Sequence, residues 1–150
     1  NISVNFSESL QSMVDGSDRN LLRVLHYPPI KDSVEKGAIR AAAHEDINLI
    51  TLLVSGSQPG LEAMDRNNKW HKVPVDKGMI TVNVGDMLQM ASGGFFPSTS
   101  HRVVNPDGSQ QNVSRFSLPM FIHPRNEVIL KSGTTAFDYL QERLHEIRLK

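Results

Sequence analysis

Cysteine is absent from the 150 residues, which excludes disulfides, thiolate metal ligands and a cysteine nucleophile. Any metal must therefore sit on histidine and carboxylate. An excess of charge of one sign is also missing. Lys and Arg number 16 against 16 Asp and Glu, so the surplus that drives binding to a phosphate backbone or an anionic membrane is not there. No nucleic acid and no membrane partner is expected. No apolar run approaches the roughly 18 residues that span a bilayer. Asn1 to Asn20 has neither a basic n-region nor an apolar h-region, so no signal peptide is visible and the expected location is cytoplasmic. There is no Gly-rich phosphate fingerprint, no Walker lysine and no Gly-x-Ser-x-Gly elbow. What is present is a globular mixture, 39% hydrophobic and 21% charged, of a length that fits one domain, 1–150.

Phe6, Leu10, Met13 and Val14 predict a short amphipathic helix closing at Asp15-Gly16, so that 1–20 reads as a helix tail and loop. From Leu21 to about Ile122 the pattern changes to short β-rich runs broken by turn residues. The candidate strands are Leu21–His26, Ala38–Ala43, Leu49–Val54, Leu61–Asp65, Lys69–Val73, Met79–Val84, His101–Val104 and Ser114–Phe121. Turns are expected at Ser55-Gly56, Pro59-Gly60, Asn67-Asn68, Asp76-Lys77-Gly78, Gly93-Gly94 and Asn105-Pro106-Asp107-Gly108. Such a mainly β string fits a double-sheet jelly roll, and a sandwich of another topology gives a similar one. Phe137, Leu140, Leu144 and Ile147 predict a closing helix within 133–150, with Thr135 as its N-cap. Gly85-Asp86 reads as a turn, and Trp70, Met79, Met87 and Met90 as core filling.

Of six histidines, only His44 has a carboxylate two positions on, Asp46. Chance alone gives about 0.4 such pairs in this composition, so the pair is weak by itself. In an extended segment, residues i and i+2 share a face, so His44 and Asp46 can aim at one point inside a barrel. His101, at the head of a later strand, can supply a third ligand. Two histidines and one carboxylate on one face of an octahedron is the pattern of non-haem Fe(II) oxygenases. The plainer alternative stays open: a hydrogen-bonded pair at a strand end, with His101 in a loop. His71 and His145 lie in polar settings and His123 in an exit loop before Pro124; none of the three is expected to act, and His26 beside Tyr27 is undecided. Arg115 and Ser117 share a face of a late strand, expected to neighbour that of His101, and offer a planar fork plus a hydroxyl to a small dicarboxylate. About 0.9 Arg-x-Ser pairs arise by chance, so this motif too is uninformative alone.

Taken together and in order, these pieces carry a resemblance. His44-Glu45-Asp46 with Leu49-Ile-Thr-Leu-Leu53, Pro59-Gly-Leu-Glu62, the Trp70 strand and Val82-Asn-Val-Gly-Asp86 come first. Ser98-Thr-Ser-His-Arg-Val-Val-Asn-Pro106 and Arg115-Phe-Ser117 follow. Over Ile39–Phe121 the sequence resembles the catalytic core of the Fe(II)/2-oxoglutarate-dependent dioxygenases, in the isopenicillin N synthase-like branch. The resemblance implies a double-stranded β-helix, or jelly-roll, core over 21–122 with helices flanking it at both termini. It implies Fe(II) held by His44, Asp46 and His101, and the distal carboxylate of 2-oxoglutarate held by Arg115 and Ser117. Tyr27 matches a family tyrosine at the co-substrate, although the Asn common two residues earlier is Leu25 here. Glu45 stands where many relatives have Thr. The implied reaction uses O2 and 2-oxoglutarate to oxidise a small-molecule substrate, releasing succinate and CO2. A 2-oxoglutarate-independent iron oxidase of the same family and a non-catalytic jelly-roll binding module remain alternatives. The family also carries a substantial N-terminal helical region before this core, so a longer parent chain is one reading of the short first helix. Substrate identity and oligomeric state are not readable.

Overall fold

The computed structural model describes residues 4–30, 38–54, 56–105 and 112–148. Its framework is antiparallel. A five-stranded sheet runs in the order β1 (Leu21–Leu22), β9 (Arg115–Ile122), β4 (Ile50–Val54), β7 (Ile80–Val84), with β2 (Leu25–Tyr27) also paired to β9. A four-stranded sheet runs β3 (Ala41–His44), β8 (His101–Val103), β5 (Leu61–Met64), β6 (Trp70–Lys72). The expected jelly roll is the architecture found. The last turn in the candidate series, at Asn105-Pro106-Asp107-Gly108, and Ser55 of the first fall wholly or partly outside the described residues.

The polarity of the large sheet is inverted. Along β9, Arg115, Ser117 and Pro119 are buried while Phe116 and Leu118 are exposed. A period of two puts alternate residues on opposite faces, so here the polar set points in and the apolar set out. The neighbours share this pattern in part: Leu22, Val24, Val54, Ile80 and Val82 are exposed on the outer face, while Thr51, Thr81 and Asn83 turn inward beside Leu25 and Leu53. A sheet that turns its polar face inward is lining a cavity rather than a core. That cavity measures about 840 Å³ and is walled by both sheets.

The apolar core lies instead beside the barrel, where helices meet it. Met13, Leu49, Met87, Leu88, Ala91, Val128, Leu130 and Ala136 form it, with Phe6, Tyr139 and Leu140 packed against its edge. They come from α1 (Leu10–Val14), α2 (Asp86–Ala91), β10 (Ile129–Lys131), α3 (Ala136–Arg148) and the segments joining them. α1 is shorter than the Phe6–Val14 periodicity suggests and starts at its N-cap Ser9, whose hydroxyl accepts from the Ser12 N–H. α3 opens at Thr135 as expected. Thr135 Oγ1 accepts from the Asp138 N–H at 3.1 Å and donates to Asp138 Oδ2 at 2.6 Å, a reciprocal cap.

The candidate strand Leu21–His26 divides into β1 and β2, and three further features differ from the sequence reading. Gly85-Asp86 is not a free turn but the start of α2, which the methionine-rich run Met87–Met90 disguises as loop packing. The hairpin of β10 with β11 (Thr134–Thr135) escapes a reading of the sequence, its strands too short to show alternation. Trp70 is not core; it lies half-buried with the Arg102 guanidinium 4.1 Å above its ring. Among the described residues no helix is long and apolar enough to cross a membrane.

Candidate metal centre

His44 and His101 are direct cross-strand partners of β3 and β8, which brings their rings to 4.3 Å between centroids. Asp46 follows the end of β3, in the segment leading to β4, so the ligand pair is not carried by one strand as the i, i+2 argument assumes. One ligand atom from each of the three lies within 4.8 Å of the others. His44 Nε2 is 4.0 Å and His101 Nε2 3.8 Å from Asp46 Oδ1, too far for hydrogen bonds to it.

The remaining atoms of these side chains are already engaged. His44 Nδ1 faces the Ala42 carbonyl at 2.8 Å and His101 Nδ1 the Thr99 carbonyl at 2.9 Å. A carbonyl can only accept, so each Nδ1 carries the hydrogen and each Nε2 keeps a free lone pair. Asp46 Oδ2 accepts from Thr51 Oγ1 at 2.6 Å and Asn83 Nδ2 at 3.0 Å, leaving Oδ1 free. Thr51 in turn accepts from Asn48 Nδ2 at 3.1 Å. Asp46, Asn48 and Thr51 are all buried. Three lone pairs converge with their tautomers and orientations fixed from behind, the arrangement expected of a metal-binding set.

The backbone pins the same loop. The Asp86 N–H donates to the Asp46 carbonyl at 2.7 Å and the Gly85 N–H to the Leu49 carbonyl at 2.9 Å. That approach leaves no room at position 85, where a Cβ would collide with the Asn48 carbonyl oxygen. Asp86 accepts from the Tyr139 hydroxyl at 3.1 Å and lies 3.9 Å from Arg143 Nε, tying α3 to the ligand loop. Burial and the neighbouring Asp86 carboxylate push the Tyr139 pKa up to about 12. Burial first, and then Asp86, raises that of Glu45.

Arg115, Ser117 and Tyr27 line the cavity along one side. The register pairs Tyr27 with Arg115 and Leu25 with Ser117, and the Arg115 guanidinium carbon is 5.3 Å from the Tyr27 ring centroid. β9 and β8 are not neighbours as expected. They belong to opposite sheets and face each other across the cavity. Arg115 is 2% exposed; its Nε donates to the Gln58 carbonyl, and its Nη1 is buried with no partner among the described residues. Burial lowers its pKa from the usual arginine value, the mark of a cation held without a counter-ion.

Of the other histidines, exposed His71 pairs with half-buried Asp65, His26 stacks on Phe116 on the outer face, and His145 is exposed. His123 departs from the sequence expectation. It lines the cavity, and burial depresses its pKa. The signal for it is the period of β9: positions 115, 117, 119, 121 and 123 all line the same cavity.

The profile of the 2OG-Fe(II) oxygenase superfamily matches residues 19–124. The chain belongs to that superfamily. Among curated members, the 2-oxoglutarate-dependent dioxygenase citB of Monascus ruber is 39% identical over 103 residues, which cover 67% of this chain and 30% of citB. The 2-oxoglutarate-Fe(II) type oxidoreductase ppzD of Metarhizium majus is 35% identical over 95% of the chain and 47% of its own length. Among solved structures, a Shewanella oneidensis protein classed by name as an oxygenase superposes with a TM-score of 0.85 at 53% identity, over 97% of this chain and 53% of that one. A full-length Neurospora crassa protein, solved in complex with alpha-KG, superposes at 0.79 with 31% identity, over 90% of this chain and 47% of its own. The chain thus spans between about a third and a half of the oxygenases it resembles.

Proposed function

We propose that this chain forms the catalytic core of an oxygenase that oxidises a small molecule while converting 2-oxoglutarate to succinate and CO2. His44 Nε2, Asp46 Oδ1 and His101 Nε2 are assigned as the iron ligands. The observation that carries this reading is the division of labour within each of the three side chains: one atom is bonded into the fold and one is left free toward the same point. Bound iron(II) supplies the redox chemistry that couples decarboxylation of 2-oxoglutarate to oxidation of the substrate.

The protein's own residues bind and orient. Arg115 and Ser117 are assigned to the distal carboxylate of 2-oxoglutarate. A buried guanidinium with an unpartnered Nη1 is costly until an anion meets it, and a carboxylate matches its planar fork. Tyr27 faces the same guanidinium and is assigned to the same co-substrate. Gly56 keeps that pocket open, since a Cβ there would approach the Phe116 carbonyl to 3.1 Å and Arg115 Nη2 to 3.4 Å. Asn83 and Thr51, the latter backed by Asn48, hold Asp46 correctly turned. The substrate is assigned to the rest of the cavity, where α3 contributes Leu140 and Leu144. Support for a small molecule comes from the Neurospora crassa relative, whose structures hold thymine or 5-formyluracil with alpha-KG.

The test is succinate formation from 2-oxoglutarate, followed with and without Fe(II) and O2. Slow, iron- and oxygen-dependent succinate release is the expected result even without substrate. No succinate under any condition, despite bound iron, would favour the 2-oxoglutarate-independent oxidase.

A further inference from the structure

The cavity wall nearest the metal centre carries charge that the proposed reaction does not use. Positions 19, 21, 23, 25 and 27 all face the cavity along the edge of the large sheet, so Arg19 and Arg23 share that face with Tyr27. Leu21 lies opposite Phe121, and the Arg23 N–H donates to the Pro119 carbonyl at 3.0 Å. Phe121 is also opposite Thr51, whose hydroxyl holds Asp46. The Arg23 guanidinium carbon lies 5.3 Å from the Phe121 ring centroid. This pair therefore stands toward the metal end of the cavity, six residues along β9 from Arg115.

Arg23 lines the cavity with no carboxylate partner of its own among the described residues, which sets it apart from the other charges there. Iron(II) and Arg115 together cancel the Asp46 carboxylate and a doubly charged 2-oxoglutarate. Arg143 has Asp86 and Glu146 beside it. Arg23 has no carboxylate at ion-pair distance among the described residues, and Arg19 has only Asp18 at 3.5 Å, which is 82% exposed. His123 adds a buried Nδ1 with no partner among the described residues. Leu21 and Phe121 adjoin Arg23, and Leu140 and Leu144 line the same cavity. One face thus offers an anion seat next to an apolar one.

Resting on the oxygenase reading above, we propose that the substrate is a small, largely apolar carboxylic acid, its carboxylate held by Arg23 with Arg19 and its body laid against Phe121 and the α3 leucines. A guanidinium over an aromatic ring is already oriented, so a carboxylate reaching it gains a charge-assisted pair with little reorganisation. Because both arginines are exposed, the pairing weakens with salt.

The probes are 3-phenylpropanoate and its neutral amide, titrated into protein saturated with Fe(II) and 2-oxoglutarate under anaerobic conditions, so that Arg115 is occupied. Binding is read by perturbation of the keto-acid charge-transfer band and, independently, by calorimetry. The acid is expected to bind about tenfold or more tighter than the amide, a preference of about 1.4 kcal/mol. Arg23→Gln should bring that ratio to about two or below, with Arg23→Lys between. Equal binding of acid and amide, a preference that survives Arg23→Gln, or failure of the acid to bind would each overturn the proposal. Absence of the band itself would count against the oxygenase reading instead, and calorimetry would still report the acid-to-amide ratio.

Discussion

Asp46 divides its two oxygens between two tasks, and the division makes it the most informative residue to change. Oδ2 is fixed by Thr51 and Asn83, while Oδ1 faces the two histidine Nε2 atoms. Asp46→Ala is expected to abolish Fe(II) binding in calorimetry while far-UV circular dichroism retains the β-rich spectrum. Normal iron affinity in that variant would remove Asp46 from the ligand set. Arg115→Ala is expected to weaken 2-oxoglutarate by about 2 to 5 kcal/mol, the range for truncating one partner of a buried charge pair. An unchanged dissociation constant would reassign the co-substrate site. At this scale the sequence is legible where chemistry and order coincide. His44, Asp46, His101, Arg115 and Ser117 all stand out in a recognisable series, and all five line one cavity. His123 does not stand out, because a histidine before proline after a strand reads as loop unless the inward period of β9 is extended one step further.

At the scale of elements, the ligand loop is held by α2 more than by its own strand. The Asp86 N–H meets the Asp46 carbonyl, and Gly85 allows the contact by lacking a Cβ. Gly85→Ala should therefore cost about 1 to 3 kcal/mol of stability from overpacking and lower iron affinity together, as read by thermal unfolding and metal titration. Unaltered values for both would show that the loop relaxes freely. α2 itself is hidden in the sequence, since six residues give too few turns for a helical period and Gly-Asp resembles a turn. The long strands and α3 are visible for the opposite reason, as β4, β9 and the Phe137–Ile147 stripe are long enough for their periods to repeat. Sheet membership is not visible: nothing local in a strand distinguishes a neighbour in one sheet from a partner across the cavity, which is why β8 and β9 read as neighbours and are not.

At the scale of the molecule, the apolar core sits with the helices, while the sheets enclose a cavity lined by polar and apolar side chains together, so the packed core and the candidate site occupy different parts of the fold. The cavity carries a stability consequence through His123, whose pKa burial holds below the ordinary value of 6.5. Below that ordinary value the unfolded chain binds a proton that the folded chain resists, so stability falls as pH drops from 6.5 toward the depressed folded value and is insensitive to this group above it. His123→Gln is expected to flatten that part of the pH profile in urea unfolding. A wild-type profile without the decline, or one the substitution leaves intact, would contradict the buried, neutral state.

The most direct test of the central claim is an anaerobic titration of the protein with Fe(II) and 2-oxoglutarate, watching for the visible charge-transfer band of a chelated keto acid. The expected result is a band that requires both components, disappears in Asp46→Ala and needs far more 2-oxoglutarate in Arg115→Ala. Iron bound without any band would contradict the co-substrate site, and no iron bound at all would contradict the metal centre on which the rest depends.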